Sequence, residues 1–79
     1  GKVFADGALP RGQKALIGLA VAHAVQCAYC IDAFTTACLE GGSNLTEMTE
    51  AVHVAAAIRG GASLVHGMQM RSHADRISM

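Results

Sequence analysis

With 79 residues, the chain has room for one small domain, and a lone domain of that size is marginally stable. Hydrophobic residues make up 52% of it, aromatics 4% and charged residues 15%. That is more apolar side chain than one small core can hide, and it implies burial against other copies of the chain. Six basic and six acidic residues cancel, so nothing indicates a nucleic-acid footprint or a strongly charged partner.

The coarse reading is helical throughout. Residues 7–12 (GALPRG) form a turn, punctuated by Pro10 and two glycines. Residues 13–26 follow a helical pattern that is apolar on nearly every side, which predicts a buried helix. Gly18 weakens that helix but allows a close backbone approach. A second helix is expected over residues 27–40, stopped by Gly41 and Gly42; Thr35 and Thr36 are weak helix formers within it. Asn44 and Glu47 have the spacing of a capping box. The third helix then runs to about Ile58, with Met48, Ala51, Val52, Ala55 and Ile58 on one apolar stripe and Arg59 at its end. Gly60 and Gly61 are expected to break the chain before a fourth helix over residues 62–77. No alternating β-branched run predicts a strand, and no repeat is visible. The expected fold is therefore an all-α bundle of about four helices, forming a single domain over residues 1–79 that assembles into an oligomer.

No signal peptide is recognisable, and the longest apolar stretch, residues 15–25, is too short to span a bilayer and contains His23. Neither a membrane nor a nucleic-acid partner is expected. Three cysteines are an odd number, which argues against a secreted disulfide scaffold and for a reducing cytoplasm. The chain opens at Gly1 rather than a methionine, as a piece of a longer protein would.

The residues best suited to chemistry are Cys27 and Cys30, in Cys27-Ala28-Tyr29-Cys30. Two thiols three apart at a helix start can close a disulfide and reopen it. Free N–H groups and the helix dipole there favour a thiolate. Two competing readings are structural thiols acting as small hydrophobes and a metal site. A closed zinc site needs four ligands, and no second CxxC or HxxxH pair supplies them. Neither a metal nor a cofactor is therefore expected. Cys38 lies two turns beyond Cys30, too far along the helix to pair with it, and reads as a plain buried cysteine. His23, four residues before Cys27, is placed to accept a thiol proton. The competing reading is a core histidine with one hydrogen-bonded nitrogen. His53 and His66 lie in or beside apolar stretches of the later helices, and His73 in a polar, solvated end.

Three stretches together carry a resemblance: KALIGLAVAH (residues 14–23), CAYCIDA (residues 27–33), and Gly41-Gly42 followed by MTEAV (residues 48–52). Over about residues 10–70 the chain resembles the carboxymuconolactone decarboxylase family, in its AhpD-like alkylhydroperoxidase branch. The stretch HVAAAIRGGASLVHG (residues 53–67) is similar to the peroxidase-like proteins associated with arsenosugar biosynthesis. The resemblance implies an all-helical fold assembled as a trimer or hexamer. It also implies a peroxidase-like thiol oxidoreductase with peroxiredoxin-type activity. In such proteins the second cysteine attacks a hydroperoxide and becomes a sulfenic acid, and the first then closes the disulfide. These roles fall on Cys30 and Cys27, whereas the dipole argument alone favours Cys27 as the more acidic thiol. The implied partners are a small hydroperoxide or other oxidant and a thiol or disulfide reductant. Two departures stand out. The branch carries a glutamate twelve residues before the first cysteine, where this chain has Ala15, and a histidine four residues after the second, where it has Phe34. Both belong to the proton relay that activates the thiol, and His23, His53 and His66 are the candidates to replace it. The competing class is a non-catalytic oligomeric sensor, or a protein holding trivalent arsenic on its soft thiolates.

Overall fold

The computed structural model describes residues 2–78. After one 3-10 turn at Lys2–Phe4 come three helices: α1 (Arg11–Ala24), α2 (Ala28–Glu40) and α3 (Leu45–Ser78). No strand occurs among the described residues. The fold is all-α, as expected, but with three helices instead of four. The expected break at Gly60-Gly61 is absent, and α3 runs through both glycines for 34 residues. Each glycine lowers helix stability by about 1 kcal/mol relative to alanine, but neither removes a backbone donor as a proline would. The Ser63 hydroxyl donates to the Arg59 carbonyl across the pair, 3.1 Å.

The helix ends have identifiable causes. At the start of α1, the Arg11 N–H donates to the Asp6 carboxylate at 2.7 Å, which places an anion at a helix N-terminus. Pro10 is the N-cap, so α1 begins two residues earlier than the pattern indicates. It ends in a Schellman turn. Cys27 N–H bonds back to the Ala22 carbonyl and Gln26 N–H to that of His23, at 3.0 and 3.2 Å. Gln26 takes the left-handed conformation, φ 59°, that usually falls to glycine. The same turn closes α2 with Gly42 at φ 91° and Ser43 N–H on the Cys38 carbonyl. Within α2, the hydroxyls of Thr35 and Thr36 donate to the carbonyls of Ile31 and Asp32. The capping box forms: Asn44 N–H donates to Glu47 Oε1 and Glu47 N–H to Asn44 Oδ1, both at 2.8 Å.

α1 is the shared partner, packing against both α2 and α3. Its inner edge, Ala15, Leu19 and Ala22, is buried. With Cys38 of α2 and Met48 of α3, Ala15 and Leu19 make the core, edged by Leu16, Phe34 and Ala37. α1 is not buried on every side, because Ile17, Val21 and Val25 face outward. Gly18 permits the tightest approach: a Cβ there would lie 2.6 Å from Phe34 Cδ1. Phe34 in turn stacks on Phe4, with ring centroids 5.3 Å apart. Beyond Ala55, α3 leaves the bundle, and the molecule measures 58 × 25 × 22 Å. At 1.5 Å per residue a 34-residue helix is about 51 Å long, which accounts for the long axis.

Gly18→Ala offers a test of the α1–α2 contact. Alanine gains about 1 kcal/mol of helix propensity, while overpacking costs about 1–3 kcal/mol. In urea unfolding, Gly18→Ala should destabilise the native chain and stabilise a Phe34→Ala chain. Equal effects in both backgrounds would contradict the contact.

Candidate functional site

The turn at Gln26 places Cys27 as the N-cap of α2. Its Sγ accepts the Cys30 N–H at 3.3 Å, so a sulfur occupies the position that serine, threonine or aspartate usually fills. Cys27 and Cys30 are disulfide-bonded, with Cα atoms 5.2 Å apart, within the ordinary span for such a bridge. The expectation that these two cysteines pair and Cys38 does not is met. Cys38 is a free thiol, 0% exposed, and burial pushes its pKa up. No cluster of three or more His, Cys, Asp or Glu side chains fit to hold a metal occurs among the described residues.

Two cavities flank Phe34. One, of about 380 Å³, lies along the outer edge of α1; Cys30 lines it, with Gly18, Val21 and Phe34, and Cys27 does not. The other, of about 550 Å³, is lined by Ala15 and Phe34 together, along with Arg11 and Glu40. The two positions at which the chain departs from the AhpD-like relay are thus neighbours in space.

The histidines are placed differently from the cysteines. His23 is half-buried, and its Nδ1–H donates back to the Leu19 carbonyl at 2.9 Å. In the neutral ring this leaves Nε2 as the acceptor. It lines neither cavity, and its ring is tied to the α1 backbone. His53, His66 and His73 are exposed on α3 and line neither cavity. Two contributors went unmarked in the sequence. Gln26 carries no turn signal, and Lys14 gave only a lone cation in an apolar helix as a clue. Lys14 lines the Cys30 groove, and its Nζ donates to the Ala5 carbonyl at 2.8 Å.

A family model for the carboxymuconolactone decarboxylase family matches residues 1–70. The chain belongs to that family. A Paracoccus denitrificans protein named "Uncharacterized protein 4 in cox locus" is 40% identical over 75 residues, which cover 95% of this chain and 68% of the relative. That name carries no reference to arsenic. No solved structure matches. The helical architecture and the bridged cysteine pair of this family member are compatible with thiol redox chemistry. No helix among the described residues is long and apolar enough to cross a membrane.

Mild oxidation followed by peptide mapping should give one linkage, Cys27–Cys30, with Cys38 unmodified. Because burial disfavours the Cys38 thiolate, iodoacetamide should label Cys38 slowly at neutral pH and fast only after denaturation. A Cys38 disulfide, or rapid native labelling of Cys38, would contradict the arrangement.

Proposed function

We propose that the protein is a thiol oxidoreductase that reduces a hydroperoxide through a Cys27/Cys30 dithiol–disulfide cycle. The observation that carries this reading is that Cys30, and not Cys27, lines the apolar groove, while Cys27 caps the helix whose N–H groups favour a thiolate. The assignment of roles by resemblance and the dipole argument for Cys27 are then compatible. The Cys30 thiolate attacks a peroxide oxygen and the O–O bond breaks. Cys30 becomes a sulfenic acid, and the alkoxide takes a proton to leave as an alcohol. The Cys27 thiolate attacks the sulfur of the sulfenic acid, the S–O bond breaks as the disulfide forms, and the departing hydroxide takes a proton from solvent to leave as water. A dithiol reductant returns both cysteines to thiols and is itself oxidised to a disulfide. His23, four residues before Cys27, is the proposed base, through Nε2.

Assembly is part of the proposal, as a trimer or hexamer in the cytoplasm. From Val54 onward α3 carries Val54, Ile58, Gly61, Val65 and Met68 at alternating spacings of four and three. That spacing makes a seam of period 3.5, and the four large residues on it are more than half exposed. A helix this exposed gains most of its stability from packing, so the seam suits copies of itself. Light scattering at micromolar concentration should give a trimer or larger, and Ile58→Asp with Val65→Asp should give a monomer. A monomeric native protein would contradict the assembly.

Phe34 supports a second reading. Without a proton acceptor at that position the pair would react slowly and serve to sense oxidant or to hold trivalent arsenic. Arsenic is a soft acceptor for two thiolates, and the link to organoarsenic metabolism rests on the likeness of residues 53–67. The two readings separate kinetically. Dimedone should trap a sulfenic acid on Cys30 in Cys27→Ser and none in Cys30→Ser. Phe34→His should speed Cys30 oxidation by about tenfold or more, within the usual range for one positioned acid–base group. Adding Ala15→Glu, in the cavity Phe34 also lines, should raise it further. Slow oxidation in all three proteins would favour sensing or arsenic binding over catalysis.

A further inference from the structure

The groove beside Cys30 has a definite chemical polarity. Its walls are Ile17 and Val21 of α1, Val25 just beyond it and Phe34 of α2, and among the described residues Lys14 is the one charged side chain that lines it. Among the described residues no acidic side chain lines it, in contrast to the cavity across Phe34, which both Arg11 and Glu40 line. The Lys14 ammonium is held in place by the Ala5 carbonyl. That bond uses one of its three donors and neutralises none of its charge. Lys14 and Ala22 both line the groove, eight residues apart on α1, or about 12 Å along the helix axis. Cys30 also lines it, on the helix that begins just after the turn anchored at the Ala22 carbonyl. A cation, an apolar wall and a redox-active sulfur therefore follow one another along a single groove. Its volume of about 380 Å³ is in the range of small-molecule sites.

We propose that this groove selects organic hydroperoxides with an apolar chain and an anionic end, such as fatty-acid hydroperoxides, with the anion on Lys14 and the peroxide at Cys30. The inference rests on the peroxidase reading and names the substrate class for it. Burying the chain against the valine, isoleucine and phenylalanine walls supplies affinity. The charge-assisted contact at Lys14 fixes which end of the substrate reaches the sulfur. Cys30 takes one peroxide oxygen as its sulfenic acid, and the substrate leaves as the corresponding hydroxy acid. Hydrogen peroxide has neither a chain nor an anion, and gains nothing from either feature.

Two measurements on the 79-residue chain test this and keep the two readings apart. The first is binding to the oxidised, unreactive protein, followed by the fluorescence of cis-parinaric acid below its micelle concentration. The native protein should bind the acid, and Lys14→Met should bind it about tenfold more weakly. Lys14→Arg should restore binding, and the methyl ester should not distinguish the three. The second is the rate of Cys30 oxidation by linoleic acid hydroperoxide, by its methyl ester and by hydrogen peroxide. The acid should react at least tenfold faster than either, and Lys14→Met should remove its advantage over the ester. Val21→Trp, which fills the groove, should remove the advantage over hydrogen peroxide. Failure of the native protein to bind the probe, as when a second copy covers the groove, would overturn the substrate assignment. So would equal rates for all three peroxides, which leave the peroxidase reading intact. Lysine-dependent binding with no oxidation by any peroxide would uphold the anionic apolar ligand and overturn the peroxidase reading.

Discussion

The sulfur of Cys27 closes the N-terminus of α2, and much of the molecule depends on that one contact. Its residue has two tasks at once: the Cys27 N–H ends α1 on the Ala22 carbonyl, and Sγ receives the Cys30 N–H to begin α2. A thiol is a weak acceptor, and a thiolate is a far better one. The acceptor in this structure is the sulfur of the Cys27–Cys30 bridge, so the start of α2 and the disulfide share one atom.

Around this junction α1 separates structure from chemistry. Its inner edge, through Ala15 and Leu19, meets Cys38 and Met48 in the core. Its outer edge lines the groove that Cys30 faces. Phe34 joins the two, because its ring lies on Gly18 and lines both cavities. A ring there holds α2 close to α1, and it occupies the position where AhpD-like relatives place an imidazole. In this chain packing has the position.

How much was legible in the sequence follows from which interactions are local. The Asn44–Glu47 box, the Gly42 turn and the helical identity of all the segments are local signals, and each appears in the structure. So does the Cys27–Cys30 pairing, because a spacing of three at a helix start brings the two sulfurs into reach. The break at Gly60-Gly61 did not follow, because glycine weakens a helix without removing a hydrogen bond, and Ser63 braces the turn. Gln26 was unreadable, since its left-handed backbone is imposed by the turn and not by its side chain. The burial of α1 was overestimated, because an apolar face can line an open groove as well as a core. The proximity of Ala15 and Phe34 needed the α1–α2 packing, which no sequence spacing encodes.

The central claim is that Cys27 and Cys30 form a reversible dithiol–disulfide couple while Cys38 stays a thiol. Equilibrating the native protein across a series of glutathione redox buffers, then alkylating and weighing it, measures this directly. The account predicts a single two-electron transition, the same from the oxidised and the reduced side, confined to Cys27 and Cys30, with Cys38 reduced throughout. A transition that involves Cys38, or a pair that cannot be reduced and reoxidised without unfolding, would contradict it.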